Sequence, residues 1–270
     1  LVNIGIKDNI DVKGMITSAG SLALSNNYPS RDAFLISKLK SSNYHIYGKT
    51  NLSEWANFRS FNSVSGWSSF GGQTINPHGK NRNPCGSSSG SAVAVASGIL
   101  DIAIGTETNG SISCPASVNG IVGMKPSVGL VSRSGIVPIS STQDTAGPMG
   151  KTVMIVAKTL EVIAGEDPLD ASTFNIPNNF DFNLSKNLNK NSLKNKRFGL
   201  LNSGSDEEEG QKLLNKITKV ITSRGGDVVE IQDTRVYPGE EEFFLLLYEF
   251  ERDLKLYLAN TSSPYKNLED

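Results

Sequence analysis

Short apolar segments alternate with segments of helical periodicity along this chain, and no other feature of the sequence restricts the fold as strongly. That order is typical of α/β proteins, in which helices cover a central sheet. Acidic runs at 205–210 and 238–243 are interpreted as the starts of two helices, because acidic side chains favour a helix N-terminus. We therefore predict an α/β fold. The predicted strands are residues 2–7, 45–48, 101–105, 197–202 and 227–231, and the predicted helices are residues 32–39, 89–98, 151–164, 210–224 and 240–258.

The composition excludes several classes of protein. The 270 residues include 26 Lys and Arg against 27 Asp and Glu, so the net charge is −1. A chain with this balance is not strongly attracted to nucleic acid or to an anionic membrane. No apolar run approaches the roughly 18 residues that a membrane-spanning helix needs. We expect a soluble globular protein without a nucleic-acid or membrane partner. The compartment and the oligomeric state stay open.

Cys85 and Cys114 are the two cysteines of the sequence. Two cysteines cannot form a framework of several disulfides, and neither has Cys or His neighbours at the spacing of a zinc site. We expect two free, partly buried thiols, with one disulfide between them as the alternative.

Serine and glycine are concentrated in two segments, CGSSSGS at 85–91 and GTETNGSIS at 105–113. Glycines beside hydroxyl groups let the backbone approach a ligand closely, and successive free N–H groups can bind an anion. A Walker phosphate site is excluded, because Asn43 stands where the pattern that would end in Gly-Lys-Thr at 48–50 needs a glycine. The two segments are therefore candidates for a catalytic site of another kind.

The string GSSSG at 86–90 matches the nucleophile elbow G-x-S-x-G, with Ser88 in the nucleophile position. In α/β-hydrolases the elbow follows a strand, and the catalytic histidine follows the serine in sequence. Here the preceding segment is typical of a loop, and His45 and His78 both precede Ser88, so we interpret both as structural or surface residues. A serine nucleophile would then need another base, and a lysine with a pKa lowered by burial can serve. Lys7, at the end of the first predicted strand, is the candidate.

Several motifs occur in an order and spacing that resemble the amidase signature family. The resemblance covers nearly the whole chain. It implies a mixed β-sheet core that is flanked by helices on both faces. It also implies one domain over 1–270 that is incomplete at both ends, with the catalytic motifs in 1–150 and a peripheral α/β region in 151–270. The motifs are GIKDN at 5–9, CGSSSGSA at 85–92, GTETNGS at 105–111 and GIVGMKPSVGLVSRSG at 120–135.

The family uses a triad of serine, cis-peptide serine and lysine, and the motifs place it on Ser111, Ser87 and Lys7. The resemblance implies that neutral Lys7 takes a proton from Ser87 and that Ser87 takes one from Ser111, which attacks an amide carbonyl. Ser88 would support the loop. The oxyanion would be held by the backbone N–H groups of Thr108, Asn109, Gly110 and Ser111.

The resemblance implies a serine amidohydrolase that converts carboxamides to acid and ammonia through an acyl-enzyme, without a metal or cofactor. Four further stretches are similar to family members that act on C-terminal peptide amides, so the expected partner is a small amide or a peptide amide. The alternatives are the glutamine amidase component of an amidotransferase and a catalytically impaired, truncated relative. The four stretches are residues 51–59, 65–74, 143–149 and 245–250.

Some positions depart from the family pattern. Asn109 replaces a common glycine, and Ser113 stands where many relatives carry arginine, so any ion pair of that arginine is absent. Trp55, Phe58 and Trp67 are interpreted as packing residues, with the lining of a substrate channel as the alternative.

Overall fold

The computed structural model describes residues 1–201 and 208–270. They form two compact units, one of residues 1–185 with 242–270 and one of residues 186–241. The α-helices are α1 (Phe34–Lys40), α2 (Ser89–Ala96), α3 (Ser113–Asn119), α4 (Val153–Ile163), α5 (Glu208–Ser223) and α6 (Gly239–Ala259). The strands are β1 (Val2–Lys7), β2 (Tyr44–Thr50), β3 (Trp67–Ser68), β4 (Gly72–Gln73), β5 (Ile102–Glu107), β6 (Val122–Gly123), β7 (Thr145–Gly150), β8 (Arg197–Leu201) and β9 (Asp227–Ile231).

A five-stranded sheet with the order β2-β1-β5-β7-β6 forms the centre of the larger unit. β1 is parallel to both β2 and β5, whereas β7 is antiparallel to β5 and to β6. The implied mixed sheet is therefore confirmed. Because the parallel strands β1 and β5 end at the same edge of the sheet, their last residues, Lys7 and Glu107, lie on that edge.

The two faces of this sheet are covered differently. On one face, the isoleucines of β1 and β5 pack in a large apolar core with leucines of α1 and with residues of α4. The other face packs against α2 and α3, where a small cluster combines Ala92, Ile112, Ala116 and Met149. Helices on both faces confirm the predicted class. The small residues of α2 and α3 let both helices approach the sheet closely.

The smaller unit contains the parallel pair β8 and β9 together with α5. Strand β9 has the predicted bounds, and α5 begins at Glu208, earlier than predicted. Residue 202 of the predicted strand and residues 205–207 of the first acidic run lie outside the described residues. The second acidic run does begin a helix, since α6 starts at Gly239. The prediction of a single domain over 1–270 stays a prediction.

No helix in the described ranges 1–201 and 208–270 has the length and apolarity to cross a membrane.

Strand β7 and helix α3 were not predicted. The TAGPMG sequence of β7 contains two glycines and a proline, which have low strand propensity, and the strand forms because β5 and β6 pair with it on either side.

Cys85 and Cys114 form a disulfide, so the expectation of free thiols is wrong. The bond joins the loop before α2 to the first turn of α3, and the two Cα atoms lie 6.0 Å apart. Helices α2 and α3 pack against each other, and this tertiary contact brings together cysteines that are 29 residues apart in sequence. Sequence spacing alone carries no signal of such a pairing.

Removing this disulfide is expected to destabilise the fold. A bond that closes a loop of about 30 residues stabilises a protein by about 3–4 kcal/mol through the loss of entropy in the unfolded chain. The double variant Cys85→Ser, Cys114→Ser should lose about this free energy of unfolding in urea. The oxidised and reduced wild-type protein serve as controls. Equal midpoints for all of these proteins would contradict the expectation.

Candidate active site

Lys7 is a buried lysine at the end of β1 with no exposed side-chain surface. Its Nζ lies 2.7 Å from Ser87 Oγ and 2.7 Å from Thr106 Oγ1, and it donates to the carbonyl of Thr106 at 3.1 Å. All three partners are uncharged groups. The amine at the end of β1 therefore contacts the hydroxyl of Ser87 and two groups of Thr106 near the end of β5.

The environment of Lys7 lowers its pKa. Burial lowers the pKa of this amine to about 7, while the carboxylates of Asp144 and Glu107 act in the opposite direction. A buried ammonium loses its hydration, so the charged form is disfavoured by more than the two carboxylates restore. A substantial fraction of Lys7 is consequently neutral near neutral pH and able to accept a proton.

Ser87 follows a cis peptide bond, Gly86–Ser87, as the resemblance implies. Its carbonyl accepts a hydrogen bond from the N–H of Ser53 at 3.1 Å, and its side chain is buried. Gly86 permits this approach, since a Cβ there would lie 2.2 Å from Ser53 Oγ. The loop before α2 is thus packed tightly onto Ser53, with the Ser87 hydroxyl turned to Lys7.

Ser111 lies in the loop between β5 and α3, beside the segment that carries Ser87. Its carbonyl accepts a hydrogen bond from the N–H of Ser88 at 3.1 Å. Within the described residues, no hydrogen bond joins the hydroxyls of Ser87 and Ser111. The structure therefore brings Lys7 and Ser87 into direct contact and places Ser111 on the adjoining loop.

The loop 108–111 has backbone donors without acceptors. The N–H groups of Asn109, Gly110 and Ser111 make no hydrogen bond to any group in the part of the chain that the structure describes. Gly110 has φ +85, a conformation that favours glycine. At the start of the loop, the hydroxyl of Thr108 donates to Asp144 Oδ1 at 2.5 Å. The loop is fixed at its ends and offers free donors between them.

Glu107 holds the other end of this loop. Its buried carboxylate accepts the N–H groups of Ile112 and Ser113, each at 2.7 Å through Oε2. The Ser113 hydroxyl donates to the same oxygen at 3.1 Å. Ser113 therefore contacts Glu107 through both its backbone N–H and its neutral hydroxyl.

Ser88 is fully buried, and its hydroxyl makes two hydrogen bonds to the backbone of β5. The hydroxyl donates to the carbonyl of Thr106 at 3.1 Å and accepts the N–H of Thr106 at 3.2 Å. A nucleophile elbow exposes its serine to the substrate. The observed bonds instead tie the loop before α2 to β5, and they favour a supporting role for Ser88.

Three residues of the site, Asn9, Thr106 and Asp144, were not predicted from the sequence. Thr106 Oγ1 contacts both Lys7 Nζ and Asn9 Nδ2, the latter at 3.0 Å, and Asp144 holds Thr108. Each of the three lies in a stretch that carries the resemblance, namely GIKDN, GTETNGS or residues 143–149. The stretches thus mark the right regions, but the contacts depend on how the strands pair.

A cavity of about 420 Å³ opens beside these residues. Asn9, Thr106, Thr108 and Asp144 line it on the side of the site, and Tyr257 of α6 lines it elsewhere. The volume is sufficient for a small amide or for the end of a peptide. The cavity therefore extends to Thr106, which contacts Lys7, and to Thr108, at the start of the loop 108–111.

The aromatic residues Trp55, Phe58 and Trp67 pack against other side chains. Phe250 of α6 lies 6.4 Å from Trp55 and 5.0 Å from Phe58, measured between ring centroids. The guanidinium of Arg59 stacks over Trp67. The lining of the cavity includes none of these three aromatic residues among the described residues. The ring contacts of Trp55 and Phe58 agree with the packing interpretation.

The two histidines lie away from Lys7. His45 is exposed on β2, and His78 Nε2 donates to the carbonyl of Asn119 at 2.9 Å. Both match the structural or surface interpretation. In residues 1–201 and 208–270, no group of three or more His, Cys, Asp or Glu side chains is arranged to hold a metal ion.

Comparison with known proteins identifies the family. The family profile described as Amidase matches residues 2–268. The chain belongs to the amidase family. The native peptide amidase from Stenotrophomonas maltophilia is 46% identical to this amidase-family chain, with a TM-score of 0.96 over 99% of this chain and 55% of that one.

Two curated relatives extend the comparison. An Arabidopsis thaliana protein with the name "Probable amidase" is 41% identical over 100% of this chain and 53% of its own length. A glutamyl-tRNA(Gln) amidotransferase component from Saccharolobus solfataricus is 37% identical over 92% of this chain and 49% of its own length. The chain thus spans about half the length of the curated relatives it matches.

We expect Glu107 to stabilise this amidase-family site. Glu107→Ala leaves two N–H groups at the start of α3 without an acceptor and should lower the free energy of unfolding by about 2–4 kcal/mol. Glu107→Gln retains one acceptor oxygen and should cost less. Urea unfolding measures both variants. Similar stabilities for wild type and Glu107→Ala would contradict the role of this carboxylate as a cap.

Proposed function

We propose that this chain is a serine amidohydrolase that hydrolyses carboxamides to acid and ammonia, with Ser111 as nucleophile, Ser87 as proton relay and Lys7 as base. The observation that carries the proposal is the buried amine of Lys7, whose pKa is lowered to about 7 and whose Nζ lies 2.7 Å from Ser87 Oγ. Structural lysines rarely sit fully buried without a carboxylate in direct contact.

Acylation transfers two protons along the relay. Ser111 Oγ attacks the amide carbonyl carbon and gives its proton to Ser87 Oγ, whose own proton passes to Lys7 Nζ. The C–N bond then breaks, and a proton returns through Ser87 to the leaving nitrogen, so that ammonia leaves and not an amide anion. The products of this half-reaction are ammonia and an ester of Ser111.

Deacylation repeats the same proton path with water. A water molecule attacks the ester carbonyl and gives a proton to the relay, and that proton passes to Ser111 Oγ as the C–O bond breaks. The carboxylic acid is released and Lys7 is neutral again. Every step balances with the substrate, one water and the three side chains, and the base returns to its initial state.

The backbone N–H groups of loop 108–111 would stabilise the tetrahedral oxyanion. Asn109, Gly110 and Ser111 have free donors there, and the N–H of Thr108 is the fourth donor of the proposed set. Preorganised donors of this kind lower the barrier because they need no rearrangement when the charge develops, and losing one typically costs on the order of 10²–10³ in rate.

The substrate that we propose is the carboxamide at the C-terminus of a peptide. The support is the 46% identity and the TM-score of 0.96 to the peptide amidase, compared with 37% identity to the amidotransferase component. The cavity of about 420 Å³ beside Thr106 and Thr108 gives space for a terminal residue. The second candidate is a glutamine amidase that passes ammonia to a partner protein.

Replacing Ser111 tests the assignment. Ser111→Ala should lower ammonia release from a peptide amide by at least about 10³-fold, because the nucleophile is removed. A fluorophosphonate should label Ser111 in the wild-type protein, as read by mass spectrometry. Ser97→Ala, at an exposed position after α2, is the matched control and should retain wild-type activity. Labelling at Ser88 would overturn the assignment, and ammonia release from glutamine alone would favour the second candidate.

The acid limb of the pH profile should report Lys7. Its neutral form is the active base, so kcat/KM should fall about tenfold per pH unit below a pKa of about 7 and level off above it. Asp144→Asn removes a charge that raises the pKa of Lys7, so the limb should move to lower pH. Asp101→Asn, at an exposed carboxylate, should leave it in place. A flat profile between about pH 5 and 9 would exclude Lys7 as the base.

A further inference from the structure

Glu249 of α6 is a buried carboxylate that the proposed reaction does not use. Its Oε2 accepts the hydroxyl of Thr142 at 2.8 Å and the N–H of Thr142 at 3.3 Å, and it also accepts the hydroxyl of Ser140. Its Oε1 accepts the hydroxyl of Ser141 at 3.2 Å. One side chain of α6 therefore binds three consecutive residues of the segment before β7.

That segment ends at Asp144, which is bonded in two directions. Asp144 Oδ2 accepts the N–H groups of Ile139 and Ser140, at 2.8 Å and 2.9 Å. Its Oδ1 accepts the hydroxyl of Thr108 at 2.5 Å. Ser140 thus belongs to both networks, with its hydroxyl on Glu249 and its N–H on Asp144.

These contacts form a continuous path from α6 to the loop 108–111. Each bond in it involves a carboxylate acceptor, and such charge-assisted hydrogen bonds are short and strong. Asp144 and Glu249 are both buried from water for most of their surface, so the bonds are little weakened by solvent competition. The position of Thr108 at the start of the loop is consequently tied to α6.

The helix also supports this path from an adjacent turn. Asp253 Oδ2 accepts the N–H of Ser141 at 3.0 Å, and Arg252 donates to Ser141 Oγ at 2.5 Å. These two contacts hold Ser141, and Arg252 also lies 3.4 Å from Glu249 Oε1. Glu249 is the acidic residue of α6 that contacts Ser140, the residue shared with Asp144.

We propose that Glu249 is a positioning residue for the oxyanion donors: through Ser140 and Asp144 it fixes Thr108 and hence the loop 108–111. This inference rests on the proposed function. A small displacement of such donors lowers the stabilisation of the transition state more than it lowers the affinity for substrate. The reason is that their contacts strengthen as charge develops on the substrate oxygen. Glu249 itself touches neither the substrate nor the reacting atoms.

The test is Glu249→Gln, compared with Glu251→Gln, a matched change at an exposed position of the same helix. Glu249→Gln keeps the size of the side chain. It replaces one acceptor oxygen by an NH2 group, which faces hydroxyls that donate to the carboxylate in the wild type. We expect kcat to fall about tenfold with KM within about twofold, since the lost contact acts on the transition state. Glu251→Gln should match the wild type. A lower melting temperature with unchanged kcat would overturn the proposal.

A double-mutant cycle tests the path. Thr108→Val removes the hydroxyl at its far end and should lower kcat by a similar factor. If Glu249 acts through Asp144 and Thr108, adding Glu249→Gln to Thr108→Val should lower kcat by less than about twofold further. Independent, multiplicative effects would overturn the path. Should Glu249→Gln fail to fold, Ser140→Ala breaks the same bond from the other side.

Hydrogen exchange separates this inference from the proposed function. The amides of Ile139 and Ser140, which donate to Asp144 on this path, should exchange faster in Glu249→Gln than in wild type and Glu251→Gln, whether or not the protein turns over substrate. Unchanged exchange there would overturn the positioning role. A wild-type protein that releases no ammonia but shows the faster exchange in the variant would overturn the proposed function alone.

Discussion

The burial of the Lys7 amine is the constraint on which the site depends. A lysine with no exposed surface at the end of a strand would ordinarily be a defect, because an ammonium ion loses several kcal/mol of hydration there. The fold accommodates it with a neutral form and uncharged partners, the hydroxyls of Ser87 and Thr106 and one carbonyl. Tight packing around the sheet buries this amine, and the same burial lowers its pKa.

The same packing explains the composition of the two serine- and glycine-rich segments. Gly86 and Ser53 approach so closely that a Cβ on the glycine would lie 2.2 Å from the hydroxyl oxygen. The hydroxyl of Ser88 bonds both the N–H and the carbonyl of Thr106, as a neighbouring strand would do in a sheet. Small residues let loops approach the sheet, and their hydroxyls then satisfy the backbone groups that the approach buries.

The sequence predicts the periodic elements well and the contacts between them poorly. β1, β9 and α6 follow from apolar periodicity, and the family motifs point to Lys7, Ser87 and Ser111. Strand β7 could not be predicted, because its glycines and proline carry no strand signal and its partners lie far away in sequence. The Cys85–Cys114 bond and the contact of Thr106 with Lys7 were missed for the same reason, since both depend on tertiary packing.

Two carboxylates link the geometry of the site to its electrostatics. Glu107 holds the far end of loop 108–111 through Ile112 and Ser113, and Asp144 holds the near end through Thr108. Both also raise the pKa of Lys7, against the larger effect of burial. If either were absent, the loop would lose an anchor and the amine would become a weaker base. Carboxylates at both ends of the loop therefore fix the position of its free N–H groups and at the same time keep the pKa of Lys7 near 7. A site that used neutral anchors could hold the same loop, but its buried lysine would be less basic and a poorer proton acceptor at neutral pH.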